Sequence, residues 1–151
     1  MSPAELAARE EIRDLAARYN ALGDTGRLEA LCELFAEDGA LELDGRACEG
    51  RREIRALFES AAEEARGGSG IRLLRHFTAT HVIDLVEEGR ARGRLYYQVL
   101  TERGLDHWGR YFDEYRVEAG RWRFGRRRVT VDGLVAGGWA ERTQRRVGPV
   151  A

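Results

Sequence analysis

The chain has 151 residues, 34% of them charged, and its 25 basic and 26 acidic side chains nearly cancel. That length fits one domain with a core large enough to enclose a pocket, and the charge balance argues against nucleic acid or an anionic membrane as partner. The opening MSPAELAAREEIRDL lacks the basic-then-apolar order of a secretory signal, and no stretch reaches the ~20 apolar residues that cross a bilayer, so a cytoplasmic location is the expectation.

Ser2 and Pro3 are N-cap and first-turn residue types, and Ile12, Leu15, Ala16 and Tyr19 then recur at helical spacing until LGDTG breaks the pattern. One long amphipathic helix is predicted there. A shorter helix follows with Leu28, Leu31, Cys32 and Phe35 on one stripe, ending near EDG. Cys32 and Cys48 have no metal-like spacing and read as unpaired thiols, Cys32 as core packing. ALELDGRACEG reads as a small hairpin about Asp44-Gly45. From Arg51 the stripe Ile54, Leu57, Phe58, Ala61 marks a third helix, closed by RGGSG.

The second half has a period of two. IRLLRHFTATHVIDLV, RARGRLYYQVLTE, HWGRYFDEYRVE and RWRFGRRRVTVDG are strand-length, rich in branched and aromatic residues, and separated by EEG, RGLD and EAG. Short hairpin loops imply antiparallel neighbours, so the order of elements describes an α+β domain over residues 1–135, one curved antiparallel sheet with helices on a single face. Residues 136–151 form a glycine-rich C-terminal tail: a flap, an interface arm or a disordered end. In the RRR run of residues 126–128 the three side chains alternate faces, which leaves a solvated edge with one inward arginine.

Two of the three histidines stand five positions apart in RHFTATH. On a regular strand they face opposite ways, so one pocket can hold only one of them. If His76 faces inward, so do Thr78, Thr80 and Val82, while Phe77, Ala79 and His81 face outward. His81 is then a non-catalytic residue of the outer face or of an oligomer interface.

YNALGDTGRLEALCELFAEDGALELDG early, RHFTATHVI in the middle and GRYFDEYRVEAGRWRFGRRRV late resemble the SnoaL-like branch of the NTF2-like superfamily, over roughly residues 8 to 132. The resemblance implies a cone, a curved sheet wrapped around N-terminal helices with an internal pocket. That cone hosts dehydratases, dehydrochlorinases, isomerases, cyclases and subunits without chemistry. In the branch of scytalone dehydratase, bile-acid 7α-dehydratase and the dehydrochlorinases, an Asp closing the first helix orients a His that opens a central strand and accepts a proton. The matching residues here are Asp24 in GDTG and His76 in RHFT. A second pocket histidine of the scytalone pattern falls in YYQVLTE, which offers Thr101 or Glu102 instead, and the Asp-Arg-Asp spacing of the epoxide hydrolases is absent.

The chemistry open to this pair is proton abstraction: an imidazole is partly neutral near pH 7, and a carboxylate on its other ring nitrogen fixes the tautomer and stabilises the imidazolium. Parity and the family pattern together place Gly109, Tyr111, Asp113 and Tyr115 inward, with Tyr97 beside them and Tyr19 one turn before Asp24. Tyrosine hydroxyls could hold a developing enolate, and Tyr19, Tyr97, Tyr111, Thr78 and Asp113 are the expected substrate contacts. For Asp113 a structural pairing with Arg126 or Arg128 is the stronger expectation, and Trp122 reads as core. The resulting expectation is a lyase or isomerase needing no cofactor and no metal, acting on an apolar cyclic molecule of polyketide or steroid type. An aldol-type cyclase using the aspartate, or a ligand-binding or assembly protein, are the alternatives. Phe77, Ile83, Tyr96, Leu100 and Phe112 have the parity for an outer apolar patch, so a homodimer or higher homo-oligomer is expected.

Overall fold

The computed structural model describes residues 1–68 and 70–147, with side chains as far as residue 143. Helix α1 (Pro3–Asp24) starts at a capping box: the Ser2 hydroxyl accepts from the Glu5 amide while the Glu5 carboxylate accepts from the Ser2 amide. Ile12, Leu15, Ala16, Tyr19 and Asn20 form its buried stripe. Helix α2 (Leu28–Cys32) is one short turn-and-a-half, and strand β1 (Phe35–Leu43) begins where the sequence predicts the helix to continue. Phe35 pairs with Phe124 in the sheet rather than joining the stripe of Leu31 and Cys32, so sheet pairing overrides a helical spacing too short to hold alone. Asp44 (φ 51°) and Gly45 (φ 75°) make the tight turn into β2 (Arg46–Glu49), as the Asp-Gly pair predicts. Helix α3 (Gly50–Arg66) buries Ile54, with Leu57 and Phe58 packed against the core.

Strands β3 (Leu74–Glu87), β4 (Arg90–Thr101), β5 (Gly104–Glu118) and β6 (Arg121–Leu134) form the expected antiparallel meander. The six strands lie in the order β2-β1-β6-β5-β4-β3. β1 runs parallel to β6, so the sheet is mixed, not wholly antiparallel; the long connection through α3 and β3 to β5 makes that parallel pairing possible. α1 and α3 cover the concave face, and the core between them joins Ile12, Leu31, Phe35 and Ile54 to Leu95, Val99, Tyr115 and Phe124.

Two irregularities decide which side chains point into the cone. In β3, Ala79 pairs with Tyr96 and Val82 with Arg94, so Thr80 and His81 together oppose Leu95; Thr80 takes a positive φ of 54°. The bulge reverses parity. Beyond it His81 and Ile83 turn inward, Ile83 is buried in the core, and both expectations of an outward position are overturned. In β5, His107 pairs with Val99 and Leu105 with Leu100, which leaves Asp106 as the inserted residue and lets two consecutive side chains, Asp106 and His107, both be buried.

The tail is more structured than its composition implies. Trp139–Val147 form helix α4, whose Ala140 is buried and which packs on β5; residues 148–151 lie outside the described residues. No helix among the described residues is long and apolar enough to cross a membrane.

Candidate active site

An open cavity of about 1140 Å³ lies between α1, α2, α3 and the concave face of the sheet, with Trp139 of α4 on its wall. Asp24, the last residue of α1, lines it together with His76 of β3. Asp24 Oδ1 is 2.6 Å from His76 Nδ1, and Asp24 Oδ2 accepts the His76 backbone N–H at 3.0 Å. The carboxylate side chain is 8% exposed and the imidazole 28%. An ionised carboxylate only accepts hydrogen bonds, so the shared proton belongs to Nδ1 and the Nε2 lone pair is left for the cavity. A negative side chain at a helix C-terminus is electrostatically disfavoured by the macrodipole, and no basic residue in the last turn of α1 offsets it. The two N–H bonds from His76 supply that compensation.

Sequence reasoning misses a second imidazole. His107, 9% exposed, lines the same cavity and shares a 2.8 Å contact between its Nδ1 and Oδ2 of Asp106. Burial holds its imidazolium form down, below the ordinary histidine value, against the opposing pull of Asp106. The residues proposed in its place do other work: the Thr101 hydroxyl accepts from Arg103 within its turn, and the Glu102 carboxylate accepts the amides of Arg72 and Leu73. The only signal in the sequence is the Asp-His doublet itself, which strand alternation assigns to opposite faces and which only a bulge unites.

The three tyrosines Tyr19, Tyr97 and Tyr111 all line the cavity. Tyr97 stacks on Tyr111 with 4.6 Å between ring centroids, and its hydroxyl donates to the Thr130 carbonyl at 3.1 Å. The ring reaches Thr130 across Gly109, where a Cβ would lie 2.9 Å from the Tyr97 hydroxyl and 1.8 Å from the Thr130 oxygen, so only glycine fits. Tyr111 donates to Oδ1 of Asn20 at 3.4 Å. The Tyr97 and Tyr111 protons are thus committed to the protein rather than free for an enolate, and burial raises the pKa of both and of Tyr19, the last to about 12. Asn20 lines the cavity, and with its Oδ1 occupied its amide N–H₂ is the remaining donor. It stands four residues before Asp24, on the same helical face, the spacing that could have revealed it.

Two other expectations change. Thr78 shares the parity of His76 but is exposed and outside the cavity lining. Asp113 makes a bidentate pair with Arg127, at 2.8 and 2.7 Å, and also accepts the Tyr115 hydroxyl at 2.6 Å. The structural pairing holds, but with the middle arginine of the RRR run: Arg127 directly opposes Asp113 across β5 and β6, whereas Arg126 and Arg128 face the other side. Both charges are fully buried, and the guanidinium lies 4.1 to 4.3 Å from the ring centroids of Tyr19, Tyr111 and Phe124. His81 Nε2 meets the Tyr115 hydroxyl at 3.1 Å, extending this network to the edge strand. Among the described residues, no group of three or more His, Cys, Asp or Glu side chains could hold a metal ion.

The SnoaL-like domain family matches residues 4–128. The chain belongs to the SnoaL-like family. Its fold is similar to that of an NTF2-like protein with a cystatin-like fold from Novosphingobium aromaticivorans, at 31% identity and a TM-score of 0.68, covering 94% of this chain and 96% of that one. A candidate scytalone dehydratase from the same organism is similar at 23% identity and a TM-score of 0.77, covering 89% and 91% of the two chains. Rv3472 of Mycobacterium tuberculosis, a protein of unknown function, is 30% identical with a TM-score of 0.74, covering 89% of this chain and 79% of that one. No curated protein matches the chain.

Because Arg127 is enclosed by aromatic rings with Asp113 as its counter-ion, Asp113→Asn leaves a cation buried without a partner charge. Denaturant unfolding should show a loss of about 3–5 kcal/mol, the usual cost of breaking a buried ion pair. A loss under about 1 kcal/mol would show that the pair is not needed.

Proposed function

We propose that this SnoaL-like protein is a lyase or isomerase of dehydratase type, working without a cofactor, in which neutral His76, oriented by Asp24, removes a proton from an apolar cyclic substrate of polyketide or steroid type. The 2.6 Å contact between Asp24 and His76 at the cavity wall carries this reading. His76 Nε2 takes a proton from carbon α to a carbonyl, and the C–H electron pair moves onto the carbonyl oxygen as an enolate. The Asn20 amide, adjacent on α1, is the donor placed for that oxygen, and Asp24 offsets the charge of the imidazolium. The enolate then collapses. In elimination it expels a β-hydroxyl, which leaves as water with the proton returned by His76; in isomerisation the same proton goes back to a different carbon. Nothing is oxidised or reduced.

The cavity supports an apolar ring as substrate. Tyr19, Phe58, Leu74, Tyr97, Tyr111 and Val129 line it, alongside charged residues such as Arg27, just before α2, and Arg55 and Glu59 of α3. A ring system would enter among the helices and lie against the aromatic wall. In a screen of cyclic hydroxy-ketones the wild type should convert at least one compound. His76→Ala and Asp24→Asn should each lower that turnover by at least ~100-fold with folding intact, the scale of losing a general base or its orientation. Near-normal rates in both variants would remove the proposal, and loss in Asp24→Asn alone would favour a cyclase in which the aspartate is the base.

The second element of the proposal is a homodimer through the outer sheet face. Phe77 and Tyr96, neighbouring residues of β3 and β4, are 52% and 55% exposed, with Phe112 half-buried on β5. Arg110 and Arg128 lie over the Phe112 ring at the border of the patch, Arg110 with its charge already balanced by Asp132 of the same chain. Light scattering at micromolar concentration should return twice the 17.1 kDa chain mass, and Tyr96→Glu should return the monomer. A wild-type monomer would contradict this.

A further inference from the structure

Asp106 makes more contacts than its neighbour His107 requires. Its side chain is buried, and besides His107 Nδ1 it accepts two backbone N–H groups from the start of α4: Trp139 N–H to Oδ1 at 2.6 Å and Ala140 N–H to Oδ2 at 3.1 Å. Three donors converge on one carboxylate, and the positive end of the helix faces its charge. The bulge at Asp106 is what turns this carboxylate and the next side chain to the same side of β5. The held imidazole sits between two rings, with centroids 5.9 Å from Tyr97 and 6.0 Å from Trp139, and all three line the cavity. Among the described residues His107 Nε2 has no hydrogen-bond partner, and it is not sealed from the cavity.

We propose that Asp106 is a positioning residue that fixes His107 in the Nδ1–H tautomer, so that Nε2 accepts a hydrogen bond from a hydroxyl of the ligand, and that it clamps the start of α4 so that Trp139 forms the wall beside that hydroxyl. His76 and His107 flank Tyr97, at 6.5 and 5.9 Å between ring centroids. The ligand class narrows accordingly to a ring that carries a hydroxyl donor away from the carbon facing His76. This rests on the cavity being a ligand site but not on His76 acting as a base.

The test uses the full chain labelled with ¹⁵N-histidine, with 2-naphthol and 2-methoxynaphthalene as probes that differ in one O–H. At pH 7.5 His107 should show a protonated Nδ1 and an unprotonated, pyridine-type Nε2, and 2-naphthol alone should shift the Nε2 resonance. The naphthol should bind about tenfold more tightly than the ether, the scale of one net hydrogen bond. His107→Phe and Asp106→Asn should both abolish that preference, and Asp106→Asn should also move the Trp139 indole N–H resonance. Asp24→Asn should keep the preference, which separates this inference from failure of the base at His76. If Asp106→Asn does not fold, the wild-type tautomer and the His107→Phe comparison decide. A proton on Nε2, a preference that survives His107→Phe, or no naphthol-dependent change at Nε2 would overturn the inference.

Discussion

One carboxylate joins the helical layer to the sheet at the wall of the cavity. Asp24 ends α1 and reaches both the backbone amide and the ring of His76, near the start of the edge strand β3. The backbone bond sets the strand's position against the helix end, and the side-chain bond sets the direction of the imidazole. Both bonds come from one residue, so the contact that positions the strand also orients the ring. Preorganisation of this kind is what proton abstraction demands, since a base accelerates the step only when its lone pair is already aimed.

The interior of the cone contains two polar arrangements of different character. At the cavity, Asp24–His76 and Asp106–His107 each pair a carboxylate with Nδ1 of an imidazole, and no hydrogen bond to the second nitrogen of either ring is seen among the described residues. Deeper in, Asp113–Arg127 is neutral as a pair, enclosed by rings, and linked to Tyr115 and His81. The first arrangement leaves hydrogen-bonding capacity facing open space; the second consumes its capacity internally, as buried structural charge must. This difference, more than the residue types, separates candidate catalytic groups from scaffold.

Much of the fold is legible in the sequence because hydrophobic period and turn chemistry agree over long stretches. The long first helix with its Ser2 N-cap and the Asp44-Gly45 turn follow directly, as does the meander. What escapes is what local pattern cannot encode. The parallel pairing of β1 with β6 depends on a partner in the last strand of the sheet, and it converts Phe35 from a helix-stripe residue into a strand residue. The bulges at Thr80 and Asp106 each insert one residue, and a single insertion reverses every parity assignment after it. Alternation misplaces His81 and Ile83 for that reason, and it hides the Asp106–His107 pair. Asp24 and His76 are legible only through family resemblance, because 52 positions of chain separate them and no periodicity connects them.

The bond from His76 to Asp24 can be read directly in solution. In the ¹H spectrum of the wild-type protein the His76 Nδ1 proton should appear as a slowly exchanging, far-downfield resonance, and it should vanish in Asp24→Asn. A His76 ring that carries its proton on Nε2, with no such resonance in the wild type, would contradict the account.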